Sequence, residues 1–121
     1  MPVLLMALLT ALLLVAGQTS LKQGLIRSGG ISGETMLAMA TWAKVLTEPY
    51  VLVGFVLYGA ATLVWIRVLS EHELSLVYPL ISLSYAISLI VGRWLFDDEL
   101  NLTRIVGVVF IVVGAGVVSR S

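Results

Sequence analysis

The sequence predicts an all-α integral membrane protein of four transmembrane helices, with a short interfacial helix between the first and second. Two observations carry that reading. The chain is 60% hydrophobic and only 12% charged, with a mean hydropathy of +1.08, whereas soluble domains carry about 25% charged residues. The apolar residues also fall into four blocks separated by polar connections, and about 20 apolar residues suffice to cross a bilayer as a helix. A single transmembrane domain over residues 1–121 is expected, with no room for a separate soluble one. Zero net charge offers nothing to nucleic acid. With no cysteine and a single histidine, His72, there is no disulfide frame, no thiolate nucleophile and no metal cluster to expect.

The first span is expected over about 3–27. Val3 to Ala16 is apolar except for Thr10, and the helix continues through a polar final third, Gly17 to Arg27. A basic leader region and a small-residue cleavage site are both missing, so the stretch reads as a span and not as a signal peptide. Ser28 to Gly33 is a turn by composition. Residues 34–47 carry apolar side chains at Met39, Trp42, Val45 and Leu46, a rough helical spacing too short to span, which suits a helix lying in the interface. A helical extension of the next span is the alternative. Glu48-Pro49 opens the second span, about 49–69, because proline is tolerated in the first helical turn. Gly54, Gly59, Ala60 and Ala61 within it permit close helix approach. The third span is expected over 74–96 and the fourth over 103–119, with Thr103 placed to cap the fourth.

The third span is the oddly polar one. It holds Ser75, Tyr78, Ser82, Ser84, Tyr85 and Ser88, a proline at Pro79 and a cation at Arg93. Tyr78, Ser82 and Tyr85, four and three apart, share one helix face. Pro79 deprives the carbonyl one turn earlier, at Ser75, of its partner, and so marks a hinge. In the first span, Lys22 lies seven residues beyond the centre, about 10 Å along the axis. Arg93 lies at a similar depth in the third span, which runs in the same direction. Two cations at one depth suit a phosphate held by charge-assisted hydrogen bonds; the plainer reading is that both snorkel to the interface. Arg27, at a helix end, is either a further headgroup contact or an anchor. Gln18 either binds a sugar or joins two helices, and the serines and tyrosines carry the same two readings. Gly107 and Gly114 share a face of the fourth span and suit close packing at a dimer interface. Asp97-Asp98-Glu99 reads as a solvated turn. Lys22, Arg27, Lys44, Arg93 and Arg104, five of the seven basic residues, fall on the side of the first and third loops, which the positive-inside rule makes cytoplasmic.

Ala16-Gly17-Gln18 followed by Lys22, then Tyr78-Pro79-Leu80-Ile81-Ser82-Leu83, Glu99 before the last span, and the Gly107-to-Gly114 pattern together resemble the drug/metabolite transporter superfamily. Within it the chain resembles the small four-helix multidrug resistance proteins (EamA-type), and more closely the subunits that flip aminoarabinose-phosphoundecaprenol. The resemblance covers the first, third and fourth spans; residues 28–47 make a longer connection than the family usually has. It implies a bacterial inner-membrane, multi-pass flippase, not an enzyme and without a cofactor. The flippase would work as an antiparallel dimer, either a homodimer or a heterodimer with a related subunit, since double-size members are inverted repeats. It carries a polyprenyl-phosphate-linked sugar by alternating access. On this reading Lys22 and Arg93 receive the phosphate, and Gln18, Tyr78, Ser82 and Tyr85 line the path. Drug-exporting members carry a glutamate in the first span at the position that is Leu14 here. Without a membrane carboxylate for proton coupling, export of cationic drugs is the weaker alternative. A third reading is a non-transporting subunit that stabilises a partner.

Overall fold

A computed structural model describes residues 3–34 and 36–120. Six helices follow one another: α1 (Val3–Ser28), α2 (Met39–Leu46), α3 (Pro49–Glu71), α4 (Leu74–Leu80), α5 (Leu83–Leu95) and α6 (Leu102–Ser119). Among the described residues, four segments are long and apolar enough to cross a membrane: α1, α3, α4 with α5 taken together, and α6. The all-helical, four-span architecture is therefore the one expected, and the shorter helix lies between the first and second spans. Met1, Pro2, Thr35 and Ser121, which the single-domain reading and the helix expected over 34–47 include, lie outside the described residues.

The spine of the fold is α1 against α3. Small residues on α1 make it possible: Ala7, Thr10, Ala11, Gly17 and Gly24 are all buried. Gly17, Gly24 and Thr10 are seven apart, two helical turns, and so form one stripe. At Gly54 of α3 a Cβ would come within 2.8 Å of the Gly17 carbonyl oxygen and 3.1 Å of the Leu21 amide nitrogen. At Gly24 it would meet the Val51 backbone nitrogen at 2.8 Å. Both contacts are with backbone, which cannot swing away, so the two helices touch along their main chains. The Ser20 hydroxyl donates to the Tyr50 carbonyl at 2.7 Å across the same seam. Gly59, expected to help, has nothing within 4 Å and faces open space.

Three further elements differ from expectation. The short helix begins at Met39, because residues before it turn and Ala38 is extended. The turn out of α1 takes Gly29 and Gly30 at φ of 90° and 71°, values that glycine adopts without steric cost. The third span is not one continuous helix. After Pro79 the hydrogen bonds tighten to the i→i+3 type: Ile81 to Tyr78, Ser82 to Pro79, Ser84 to Ile81 and Tyr85 to Ser82. The Ser82 hydroxyl also donates to the Pro79 carbonyl. Proline removes one donor and crowds the turn before it, and the turn at Ile81-Ser82 is the outcome. The fourth span is capped by Asn101, not Thr103: the Asn101 side chain accepts from the Arg104 amide at 2.8 Å. Asn101 precedes the first helical residue, where a side-chain oxygen reaches the free amides; Thr103 already lies inside the helix.

α6 packs on α4 and α5 and buries only Ala115. Gly107 and Gly114 face open space on it. Gly54→Val should cost about 1–3 kcal/mol of stability through overpacking, while Gly59→Val should change stability little. Equilibrium unfolding of the two variants in mixed micelles checks the difference.

Candidate functional site

The polar end of the bundle is built where α1, α3, α5 and the 96–101 connection meet. α3 starts on Glu48, whose carboxylate accepts from the Tyr50 amide at 2.8 Å and the Val51 amide at 3.3 Å. The same carboxylate pairs with Arg27 at 3.2 Å, and the Glu48 side chain is only 9% exposed. The Arg27 guanidinium in turn stacks 4.7 Å from the centre of the Tyr50 ring. Glu48 thus caps one helix and ties down the end of another, and Gly24 leaves the space for it. Arg27 is engaged within this clamp.

Across the bundle α5 ends at Leu95. Asp97 takes φ 53°, a left-handed conformation that Asp tolerates better than most residues. The chain therefore folds back, and both the Phe96 and Asp98 amides donate to the Gly92 carbonyl, at 3.1 and 3.0 Å. This brings Asp98 over Gly92, where a Cβ would lie 2.5 Å from its carboxylate oxygen. It also brings Asp98 Oδ1 to 4.0 Å from Lys22 Nζ, each side chain about half exposed. The Lys22 ammonium sits 5.2 Å from the centre of the Phe96 ring as well, a cation–π contact.

Lys22 opens onto a cavity of about 440 Å³. Gln18, Tyr58, Tyr85, Ser88 and Asp98 share its walls. Of the residues singled out in the sequence, the structure brings Lys22, Gln18 and Tyr85 together here. It does not bring Arg93: that side chain pairs with Asp97, four residues on, and is absent from the cavity lining. Adjacent helical residues point about 100° apart, so Gly92 faces the cavity and Arg93 the next sector round. Tyr78 lies elsewhere, edge-on to Trp65 with ring centres 6.3 Å apart, in a narrower cleft of about 180 Å³ with Thr10 and Thr62. Ser82 bonds to the local backbone at the turn. Leu14 and Tyr58 line both the Lys22 cavity and the Tyr78 cleft, so a continuous line of lining residues runs from one end of α1 towards the other.

Sequence reasoning missed Asp98, Tyr58 and Phe96. Asp98 read as part of a solvated turn, yet Asp97 pairs with Arg93, Asp98 with Lys22, and the Glu99 carbonyl accepts from Arg104. Three acidic residues directly after the third span, at the end of the bundle where Lys22 lies in the first, were the available signal.

No family model matches the chain, and no solved structure matches it. Curated relatives do, each named a probable 4-amino-4-deoxy-L-arabinose-phosphoundecaprenol flippase subunit. ArnE of Erwinia tasmaniensis is 32% identical over 94% of this chain and 94% of its own length. ArnF of Proteus mirabilis is 31% identical over 94% of this chain and 89% of its own. The chain belongs to this flippase-subunit family. ArnE of Pseudomonas aeruginosa is more distant, at 26% identity over 95% and 96% of the two chains. As a member of the flippase-subunit family with four membrane-spanning segments, the chain is a multi-pass protein of the bacterial inner membrane.

Glu48→Ala should lower stability by about 1–2 kcal/mol, the cost of a lost helix cap, with Glu48→Gln retaining most of it because the amide oxygen still accepts. Unfolding of both variants in mixed micelles separates capping from ion pairing.

Proposed function

We propose that the chain is one half of a flippase that moves a polyprenyl-phosphate-linked sugar across the inner membrane by alternating access. The observation that carries the reading is the Lys22 cavity. A cation, an amide and two hydroxyl-bearing rings converge there at the end of a span, which is the chemistry a phosphorylated sugar headgroup requires. An adjoining groove of about 550 Å³ shares Val15, Thr19 and Phe96 with it and is otherwise walled mainly by apolar side chains such as Leu12, Ile87 and Leu95. Headgroup and hydrocarbon tail therefore have adjacent, chemically distinct places. The relatives' names supply the cargo class, a lipid-linked amino sugar.

Lys22 receives the phosphate. Gln18 and Tyr85 meet the sugar, and Tyr58 with Leu14 forms the passage towards the Tyr78 end. Arg93 and Arg27, held by Asp97 and Glu48, act from the headgroup layer around the cavity mouth. Leu14, at the narrow middle of this line, is where drug-exporting members by resemblance keep a carboxylate, so the path suits an anionic cargo better than a cationic drug. The break after Pro79 divides the third span into two rods and serves as the hinge. α6 exposes Phe110, Val113 and Val117 beside Gly107 and Gly114, and pairing with a second four-helix chain, identical or related, covers that face. Met39 and Trp42 of α2, both exposed, rest in the interface.

Lys22→Ala should reduce flipping of a lipid-linked sugar phosphate in proteoliposomes about tenfold or more, the scale of a lost charge-assisted bond; flipping at the normal rate would sink the assignment. Pro79→Ala should restore the helical bond to the Ser75 carbonyl, leave binding intact and slow flipping severalfold. Equal rates for Pro79→Ala and wild type would remove the hinge.

A further inference from the structure

The cavity that holds Lys22 also holds a carboxylate, and the phosphate-binding reading does not use it. A site meant for any lipid phosphate would be better served without Asp98, which repels the incoming anion. The chain nonetheless places Asp98 with some care. The left-handed Asp97 turns the backbone, the Asp98 amide is fixed to the Gly92 carbonyl at 3.0 Å, and glycine at position 92 leaves room for the carboxylate. Asp98 Oδ1 is 4.0 Å from Lys22 Nζ, beyond hydrogen-bonding distance, and both groups line one cavity. The pair is charged, loosely joined and accessible.

We propose that Asp98 is a specificity-determining residue that selects a zwitterionic headgroup, one carrying a cationic amine as well as a phosphate. This rests on the phosphate reading of Lys22 and adds the second charge. A cargo with both groups exchanges the Lys22–Asp98 pair for two new pairs, Lys22 with phosphate and Asp98 with ammonium. A purely anionic lipid phosphate takes Lys22 and leaves Asp98 unpaired beside a second negative charge, which repels it. Discrimination then comes from a penalty on the wrong cargo as much as from attraction to the right one. Ser88, on the same wall, offers a hydroxyl within the cavity but no charge, so it cannot replace Asp98 in this role.

The test uses the full-length chain in micelles and two synthetic short-chain polyprenyl phosphates, one bearing a 4-amino sugar and one bearing the same sugar N-acetylated. Wild type should bind the amino probe about tenfold more tightly by titration calorimetry, the scale of one charged contact. Asp98→Asn should bring the two probes to equal affinity, with the acetylated probe bound as well as or better than by wild type. Capping the amine and neutralising Asp98 remove the same interaction, so their effects should not add. Equal affinity of wild type for the two probes would overturn the inference with no substitution made, and so would a preference that survives in Asp98→Asn. Lys22→Gln should weaken both probes alike; if it weakens neither, the phosphate reading itself fails, and the inference with it.

Discussion

Everything at the polar end depends on two helices meeting at their backbones. Gly17 and Gly54 face one another so closely that a methyl group on Gly54 would reach 2.8 Å from a carbonyl oxygen. In lipid there is little hydrophobic gain from bringing helices together, so association rests on packing and interhelical hydrogen bonds. The glycine crossing maximises the first, and the Ser20-to-Tyr50 bond supplies the second. Because the crossing lies within a turn or two of Gln18 and Lys22, it fixes their height against Tyr58. Glu48 then locks the end of the seam through Arg27 and the first amides of α3. α1 and α3 are thus joined both along their backbones and at the end of the seam. The third span is attached differently, through side chains around the cavity and a fold-back loop, with a broken middle. The continuous and the broken spans thus meet along the cavity itself.

The electrostatics of that end follow from one-sided placement. Lys22, Arg27, Arg93 and Arg104 all gather there, and four acceptors answer them: Asp98, Glu48, Asp97 and the Glu99 carbonyl. The four are not equivalent. Glu48 is nearly enclosed and caps a helix, so its charge belongs to the fold. Asp97 is 90% exposed, and a pair that is open to water contributes little to stability. Asp98 stands between these cases, half exposed and within a cavity. An ion pair of that kind, at 4.0 Å and open to water, is weak enough to yield to a better partner.

Much of the architecture was legible from the chain, since four apolar blocks and proline after Glu48 specify spans and a helix start directly. The boundary of α2 was not, because Ala38, which precedes the helix, has no side-chain acceptor to mark the start. Pro79 announced a perturbed helix, yet its location two residues further on, at Ile81-Ser82, depends on the local i→i+3 bonds that follow. The site was half legible. Lys22, Gln18 and Tyr85 were identifiable as polar groups where lipid-facing helices have none. Asp98 was not, because its position is made by a left-handed residue and a glycine carbonyl, neither of which is visible as a polar pattern. Arg93 shared a depth with Lys22 in the sequence but not a face in the fold; depth follows from counting residues, whereas facing depends on how α5 is rotated against α1.

The proposed path between the ends bears on what a single four-helix chain can do. One end of the bundle holds the cation and its counter-ion; the cleft towards the other is lined by Tyr78, Trp65 and two threonines with no charged side chain, and Arg67 near the end of α3 is paired with Glu71 at 2.7 Å. A headgroup leaving Lys22 would move past Leu14 and Tyr58 into a cleft with hydroxyls and aromatic rings but nothing to neutralise a phosphate. In one chain that is a way in without a matching exit. An inverted second chain would set its own Lys22 near the first chain's Tyr78 and give each leaflet an equivalent cation. Under the proposed flippase reading, an antiparallel pair would even out this asymmetry, which lies in where the cavity charges fall and not in the open face of α6.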